Sequence, residues 1–400
     1  MNRPPLEVAD LVRAAGRAFL ERSRRWITWQ HLKVLRAIAR CRTAALGGHL
    51  DECTDCGYRP AISYNSCRDR HCPKCQANAR HRWLEARRQE LLPTRYVHVV
   101  FTLPHELAPL ALQNKKLLYH LLLHTSAETL LEVARDPKHL GAEIGFFAVL
   151  HSWGQNLRFH PHLHCVVPGG GLSPDGTRWI PCRPGFFLPV RVLSCLFRRL
   201  FLELLEKAFA DGQLQFFSAL EHLRENLAFR RYLAPLGNRD WVVYAKKPFA
   251  GPQQVLDYVG RYTHRVAIAN NRLLDIENRQ VHFRYKDYRD GGQQKTMTLS
   301  ADEFIRRFLL HVLPDGFHRI RYYGFLGNRY RQEKLQQCRQ LLGMIRETTP
   351  DQSTPRDYRD RYQALTGSSL WECPVCHQGR MMVIRVIDPF ASRPTLIDTS

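Results

Sequence analysis

The chain has 400 residues, 44% of them hydrophobic, so it can bury a sizeable core and we expect two or three domains. Lys and Arg number 59 against 37 Asp and Glu, which gives a formal net charge of +22. This excess favours a polyanionic partner, with nucleic acid as the first candidate and a membrane surface as the alternative. The sequence lacks both an apolar run of the ~20 residues that a spanning helix needs and the apolar core of a signal peptide. It therefore predicts a soluble protein of the cytoplasm.

Helical periodicity covers residues 6–40, and a second run extends from Trp26 to Ile38. Several arginines lie on the polar sides of these predicted helices. They form either a solvated face or a set of phosphate contacts, and the sequence leaves both interpretations open.

Twelve cysteines in a basic chain of this kind favour metal binding over disulfides. Two Cys-x2-Cys pairs have the spacing with which two thiolates grip one tetrahedral zinc. The region from residue 41 to 75 offers eight candidate ligands, enough for about two zinc ions, and their pairing is left open. A reduced, buried set of cysteines is the alternative. The candidate zinc ligands are Cys41, His49, Cys53, Cys56, Cys67, His71, Cys72 and Cys75.

A further Cys-x2-Cys pair, Cys373 and Cys376, lies near the C-terminus and has the spacing of half a zinc ribbon. No second half is obvious, so the pair either holds no metal or borrows distant ligands. The isolated cysteines Cys165, Cys182 and Cys195 are expected to be ordinary buried residues.

Strands alternate with helices through the middle of the chain, which predicts a small mixed sheet in an α+β fold. Ser300 and Glu303 have the spacing of a capping box at the start of one helix. The predicted helices are 77–92, 117–134, 190–232 and 301–312, and the predicted strands are 95–103, 146–150, 163–167 and 241–244.

His162 and His164 flank Leu163 at the start of the third of these strands. Side chains at i and i+2 of a strand point to the same face, so the two imidazoles converge while Leu163 and Cys165 point to the opposite face. The pattern predicts a two-histidine platform for a divalent ion.

Tyr258 and Tyr262 are spaced i, i+4, so on a helix two phenols share one face about one turn apart. Val259, Tyr262 and Val266 form the apolar stripe of that helix, and Tyr258 falls on its flank. A buried core tyrosine is therefore a better description of Tyr262, and Tyr258 is the freer nucleophile.

A basic stretch near residue 320 interleaves arginines with aromatic residues, as proteins that bind single strands do when bases stack on rings. An amphipathic segment that packs its aromatic rings inward explains the pattern equally well. The candidate DNA-binding residues are Arg319, Arg321, Tyr322, Tyr323 and Arg329.

Three motifs together resemble the rolling-circle transposases of the insertion-sequence-91 type, which belong to the endonucleases named for a His-hydrophobic-His motif. The motifs are 65–76 in the cysteine cluster, 160–165 with the glycines 169–171, and 258–268 with both tyrosines. The resemblance extends from about residue 8 to residue 345. It implies a helical zinc-binding domain followed by a ferredoxin-like catalytic domain with a central antiparallel sheet. The expected domains are 1–92, 93–346 and a loosely structured tail, 347–400, with its Cys-x2-Cys pair.

The resemblance also implies a mechanism. A divalent ion, Mg²⁺ or Mn²⁺, would be held by His162, His164 and a third ligand among His151, Gln155 and His160. Tyr258 would attack single-stranded DNA at the element ends to leave a 5′-phosphotyrosine, and Tyr262 would cleave a second time. The partner would be DNA in the bacterial nucleoid. A plasmid replication initiator or relaxase with the same chemistry, and a non-enzymatic zinc-finger protein, are the alternatives.

Overall fold

The computed structural model describes residues 6–246, 254–255, 260, 267–287, 290–344, 357, 359–360, 362–363 and 367–389, without the side chains of Ala77 and Asn78. The helices are α1 (Val8–Ser23), α2 (Trp29–Arg40), α3 (Gln76–Arg88), α4 (Ala108–Gln113), α5 (Lys115–Arg135), α6 (Val190–Ala210), α7 (Asn226–Gly237), α8 (Ala301–Leu310) and α9 (Arg331–Leu341). The strands are β1 (Gly48–Cys53), β2 (Ser63–Tyr64), β3 (Tyr96–Thr102), β4 (Gly145–Trp153), β5 (Phe159–Pro168), β6 (Gly170–Leu172), β7 (Trp179–Pro181), β8 (Val243–Lys246), β9 (Leu273–Glu277), β10 (Gln280–Asp287), β11 (Gln293–Ser300), β12 (Ile320–Gly324) and β13 (Met381–Ile387).

The chain forms two compact units, one of residues 1–77, 269–280 and 346–400, the other of residues 78–268 and 281–345. This division differs from the predicted one, because the first boundary follows residue 77 instead of 92, and because residues 269–280 and the C-terminal segment belong to the N-terminal unit. β13 pairs antiparallel with β1 along its length, from Gly48 opposite Ile387 to Cys53 opposite Met381. Residues 381–387 of the tail therefore form a strand, and the expectation of a loosely structured tail is wrong for them.

The N-terminal unit begins with the two predicted helices. α1 starts in a reciprocal cap, in which the Asp10 carboxylate accepts a hydrogen bond from the Glu7 backbone N–H at 2.9 Å and Glu7 caps the Asp10 N–H. Glu7 also forms a buried ion pair with Lys74, which lies in the cysteine-rich loop. The first helix is thereby tied to the segment that carries the candidate zinc ligands.

The second unit is built on a five-stranded sheet with the order β12-β4-β5-β3-β8, in which all neighbouring strands run antiparallel. This confirms the α+β class with a central antiparallel sheet, and β5, the strand with the His-x-His motif, is its middle strand. β4 and β5 form a hairpin whose turn is closed by the Gly154 N–H bonded to the Arg158 carbonyl at 3.1 Å.

One face of the sheet is covered by helices. Alternate residues of the three central strands point into this main core, where they meet apolar residues of α5 and α6. The Phe101 ring, for example, packs edge-on against Phe197 with centroids 5.0 Å apart. The core includes Val99, Phe101, Phe146, Ala148, Leu150, Leu163, Cys165, Leu118, Leu122, Phe197 and Phe201.

Two predicted elements differ from those observed. The predicted helix 190–232 is interrupted after Ala210, where Gly212 adopts a φ of +66°, a left-handed conformation that ends helices. The Ser300 hydroxyl accepts a hydrogen bond from the Glu303 N–H at 3.3 Å, but the Glu303 carboxylate binds Arg306 and Arg307. Only half of the predicted capping box is therefore formed.

The fully buried Phe101 should carry a large share of the stability of the second unit. Phe101→Ala should lower the free energy of unfolding by about 3–5 kcal/mol, because it removes the ring and leaves a cavity. The exposed Phe217→Ala, at 53% exposure, is the control and should change it by less than about 0.5 kcal/mol. Urea unfolding monitored by circular dichroism measures both. Equal effects of the two substitutions would contradict this account of the core.

Candidate metal centres and nucleic-acid interface

Side chains along β5 alternate between the two faces of the sheet, and this places His162 and His164 on the face opposite the main core. Leu163 and Cys165 are completely buried in that core. His151 joins the two histidines because β4 pairs with β5 in a register that sets His151 opposite His162 and Val149 opposite His164. The ligand nitrogens of the three histidines all lie within 4.8 Å of one another. We call this set the histidine triad.

A fourth histidine, His98 on β3, supports the triad. Its Nε2 lies 2.8 Å from Nδ1 of His164, and the two rings stack with an angle of 10°. His98 thus fixes the orientation of the His164 ring, as outer partners of metal-binding histidines do. Sequence reasoning missed it. Its only signal is a histidine in the otherwise apolar strand 96–101.

A carbonyl determines the tautomer of His162. Nδ1 of His162 lies 2.7 Å from the carbonyl oxygen of His160, and since a carbonyl can only accept, Nδ1 carries the proton. The lone pair is then on Nε2, which is the form of imidazole that binds metal ions.

Burial keeps these imidazoles neutral. Desolvation lowers the pKa of His162 to about 4 and that of His98 to about 3. It also lowers the pKa of His164 well below its usual range, and the neighbouring His151 lowers it further. Metal binding requires the neutral ring, so the donor set of the triad fits a divalent ion at neutral pH.

Among the three candidates for a third ligand, the structure brings only His151 into the triad. His160 is an exposed residue near the start of β5, and its ring centroid lies 5.4 Å from that of His162. Gln155 lies in the hairpin turn beyond the end of β4. The Trp153 ring stacks on His151 with centroids 4.7 Å apart and restricts how that ring can turn.

Tyr258 and Tyr262 lie outside the described residues. Three residues of the same segment are described, Gln254, Val255 and Gly260, and two of them have close contacts in the second unit. Val255 is 1% exposed and packs with Val149 and Val166, which are sheet neighbours of His164. Gly260 lies so close to α3 that an added Cβ would come within 2.7 Å of Leu84.

The basic stretch near residue 320 forms β12, an edge strand of the sheet. Tyr322 and Tyr323 point to opposite faces, as neighbours on a strand must. The Tyr323 ring stacks on Phe146 with centroids 5.2 Å apart. The guanidinium groups of Arg331 and Arg87 lie over the Tyr322 ring, whose hydroxyl accepts a hydrogen bond from the Trp83 indole N–H. Both rings therefore contact protein, as the inward-packing alternative requires.

Three arginines of this stretch differ in their contacts. Arg321 lies over the Phe317 ring and 3.2 Å from His120. Arg319 is half-buried, and its carbonyl accepts a hydrogen bond from the Leu150 N–H. Arg329 is exposed and lies over Tyr330, whose ring is 53% exposed. The pair Arg329 and Tyr330 is thus the part of the stretch that offers a cation and a ring to solvent.

The cysteines of the N-terminal unit form two groups of four. In the first tetrad, all four Sγ atoms lie within 4.8 Å of one another, and Cys67 and Cys75 are 3.7 Å apart. The first tetrad consists of Cys41, Cys67, Cys72 and Cys75. The second tetrad consists of Cys53, Cys56, Cys373 and Cys376, within the same limit.

Neither tetrad includes the two histidines expected among the zinc ligands. The His71 ring lies 3.0 Å from the Asp69 carboxylate, and His49 lies 3.4 Å from that of Asp51. Each ring thus lies beside a carboxylate two residues away in the sequence, His71 in a loop and His49 on β1. The expectation of eight candidate ligands between residues 41 and 75 is corrected to six candidates, and the tail supplies two more.

Two known protein families match the chain, each over a range of its own. Residues 145–334 match the family described as "Putative transposase", and residues 11–103 match the family described as "Transposase zinc-binding domain". The chain is 65% identical, over all 400 residues and all of its relative, to the "Putative transposase y4qJ" of Sinorhizobium fredii. This chain belongs to the insertion-sequence-91-type transposases.

A more distant relative agrees with this assignment. The chain is 28% identical to the "Transposase for insertion sequence element IS801" of Pseudomonas savastanoi pv. phaseolicola, over 79% of the chain and 75% of the relative. No solved structure matches the chain. The family implies that the transposase binds DNA, and its N-terminal region is a zinc-binding domain. No helix in the described part of the chain is both long and apolar enough to span a membrane.

The triad and His98 predict how Mn²⁺ binding should respond to substitution. His151→Ala and His162→Ala should each weaken it at least ~10-fold by removing a ligand, and His98→Ala by about 10–100-fold through loss of orientation. Mn²⁺ suits this measurement because thiolates select softer ions. Electron paramagnetic resonance of free Mn²⁺ gives the affinity.

The matched control is His318→Ala, because His318 is exposed and outside the triad. It should leave the affinity unchanged. An affinity that is the same in all four variants would show that Mn²⁺ binds elsewhere.

Proposed function

We propose that this transposase nicks single-stranded DNA at the ends of its element through a tyrosine nucleophile and rejoins the strands in rolling-circle transposition. The observation that carries the proposal is the histidine triad on a sheet face that also holds Val255. Tyr258 is three positions after Val255 in the sequence, and three residues of chain span at most about 11 Å. This distance supports a phenol within reach of the triad.

Tyr258 is the first nucleophile in this proposal. Its Oη attacks the scissile phosphorus, the bond from phosphorus to the 3′-oxygen breaks, and the departing 3′-oxygen ends with the proton that the phenol gives up. A phenol has a pKa of about 10 in water and is a poor nucleophile at pH 7. When bound to His151, His162 and His164, a divalent ion such as Mn²⁺ or Mg²⁺ supplies positive charge that stabilises the charge developing on the phosphoryl oxygens.

The covalent link conserves the phosphodiester bond. Because Tyr258 retains the 5′-phosphate, attack by a free 3′-hydroxyl reverses the step and joins the strand to a new partner without ATP. Tyr262 provides a second phenol, so a second strand can be cut while the first link persists. Side chains at i and i+4 are about 5–6 Å apart at Cβ, which is compatible with a shared phosphate site.

The basic residues of β12 and its flank hold the DNA. Arg321 and Arg329 contact phosphates, and Tyr330 is the exposed ring on which a base can stack. Tyr322 and Tyr323 do not contact the DNA; their rings pack against protein and hold β12 in position. Arg319 adds to the local positive charge. The net charge of +22 supports a binding energy dominated by phosphate contacts.

The first tetrad binds one zinc ion and holds the N-terminal unit together. Its four thiolates form a closed set with no position for a substrate, as in structural zinc sites. It joins the end of α2 to the loop that leads into α3, so a bound ion would fix these two segments to each other.

Two alternative functions explain less. A non-enzymatic zinc-finger protein accounts for the charge and the tetrads but gives no role to three imidazoles whose ligand nitrogens converge on one point. A replication initiator or relaxase would use the same nicking chemistry, but both family matches are to transposases.

The tyrosine assignment predicts different defects for two conservative variants. Tyr258→Phe should abolish most of the covalent adduct formed with a labelled single-stranded element end and Mn²⁺ or Mg²⁺, because the attacking oxygen is gone. Tyr262→Phe should retain this first adduct but block completed strand transfer. Denaturing electrophoresis detects the adduct, and peptide mass spectrometry maps it.

Tyr285→Phe is the control and should behave as the wild type, because Tyr285 lies on β10 outside this segment. His162→Ala together with His164→Ala should abolish cleavage while DNA affinity is almost unchanged. A first adduct on Tyr262, or on both tyrosines equally, would refute the order of attack. Adduct formation in the absence of both tyrosines would refute the mechanism.

The phosphate contacts predict a salt effect. Arg329→Ala should weaken binding of single-stranded oligonucleotides of any sequence and should reduce the slope of log K against log salt by about 0.7. Fluorescence anisotropy at several salt concentrations measures this. Arg191→Ala, an exposed arginine at the start of α6, is the control and should leave the slope unchanged. Equal slopes for all three proteins would exclude Arg329 from the interface.

A further inference from the structure

We propose that the second tetrad, Cys53, Cys56, Cys373 and Cys376, is a second structural zinc site that joins the two ends of the chain. This inference does not depend on the nicking mechanism. The zinc-binding family match covers residues 11–103 and therefore includes only half of the tetrad. The other half lies beyond both family matches, in the C-terminal segment.

The sulfur positions fit a zinc tetrahedron. The Sγ atoms of Cys53 and Cys376 are 3.6 Å apart, and those of Cys56 and Cys373 are 3.7 Å apart. With Zn–S bonds of about 2.3 Å, the edges of a tetrahedron are about 3.8 Å long. Disulfide sulfurs are only about 2.05 Å apart, so these distances describe four thiol ligands and not two disulfides.

The two Cys-x2-Cys loops have equivalent backbone conformations. The N–H after the second cysteine donates to the carbonyl of the first, at 3.2 Å for Gly57 to Cys53 and 3.0 Å for His377 to Cys373. Both Gly57 and His377 have a positive φ, +68° and +55°. His377 therefore adopts a left-handed conformation that is uncommon for a residue with a side chain, and the loop needs it to match its partner.

Backbone N–H groups also point at the sulfurs. The N–H two residues after each first cysteine lies 3.4 Å from its Sγ, from Asp55 to Cys53 and from Val375 to Cys373. The Gly379 N–H lies 3.4 Å from the Cys376 Sγ. Such donors stabilise the negative charge of thiolates, the form in which cysteine binds zinc.

Strand pairing brings the two loops together. Cys53 ends β1 and lies opposite Met381, which begins β13. The Cys-x2-Cys loop that follows β1 and the one that precedes β13 therefore lie at the same end of the strand pair. The buried Arg359 reinforces the pair, because its guanidinium binds the Asp51 carboxylate and donates to the Met381 carbonyl at 2.8 Å. The tail is therefore an integral part of the N-terminal unit.

The test is the zinc content of the full-length protein, measured by plasma mass spectrometry. The wild type should hold two ions per chain. Cys373→Ser with Cys376→Ser should lose one ion, Cys53→Ser with Cys56→Ser should lose one, and the four substitutions together should still lose only one. The control is Cys195→Ser, since Cys195 is exposed on α6, not buried as its sequence context suggested, and belongs to neither tetrad.

The tail variant should also release β13. Hydrogen exchange of its backbone amides should increase in Cys373→Ser with Cys376→Ser, whereas exchange in the five-stranded sheet should be unchanged. Full zinc content in this variant would overturn the proposal. So would the loss of two ions in the fourfold variant, which would mean that the two Cys-x2-Cys pairs serve separate ions.

A glycine variant tests the geometry without removing a ligand, in case the serine variants do not fold. A Cβ at Gly379 would lie 2.3 Å from the Cys53 Sγ. Gly379→Ala should therefore lose one zinc ion, or release it faster to a chelator, while all thiols remain. Gly237→Ala is the control, because its nearest neighbour would be 4.0 Å away, and unchanged zinc retention in Gly379→Ala would contradict the site.

Discussion

The alternation of side chains along β5 is the constraint on which the second unit depends. One set of residues, Leu163 and Cys165, closes the main core, and the other set, His162 and His164, forms the opposite face. Because β5 is the middle strand, both neighbours can add to that face, His151 from β4 and His98 from β3. A shift of the β5 register by one residue would turn the imidazoles into the core and turn Leu163 and Cys165 away from it. The same contacts that stabilise the fold thus hold the candidate site.

The close packing of four histidines restricts how many of them can be protonated. Four imidazoles packed closely together could not all be charged, and desolvation keeps His162, His164 and His98 neutral at pH 7 by lowering the pKa of each. Neutral rings repel neither one another nor a cation, so the face is prepared for a divalent ion. In the N-terminal unit, the groups that lie close together are cysteine thiolates, which repel one another when no cation is bound. There, the sulfurs of each tetrad converge, and bound zinc would offset the mutual repulsion of their thiolates.

Sequence reasoning reached the fold class, the central strand and the cysteine-rich region because each depends on local spacing. It did not identify His98, and it could not choose His151 from three candidates, because those positions depend on the register between strands. The partner of Cys373 and Cys376 was hidden for the same reason, since the ligands are more than 300 residues apart in sequence. Tyr322 and Tyr323 looked like a stacking platform, but neighbouring residues of a strand face opposite ways. The roles of Tyr258 and Tyr262 as nucleophiles remain predictions.

The central claim is that a metal-binding histidine face and a tyrosine nucleophile belong to one site. Crystals of the protein grown with Mn²⁺ and a single-stranded element end, analysed at the manganese absorption edge, would test it directly. The account predicts an anomalous peak within about 2–2.5 Å of nitrogens from His151, His162 and His164, with the scissile phosphate and the Tyr258 hydroxyl beside it. A peak at another set of ligands, or a Tyr258 hydroxyl far from a peak at the triad, would contradict it.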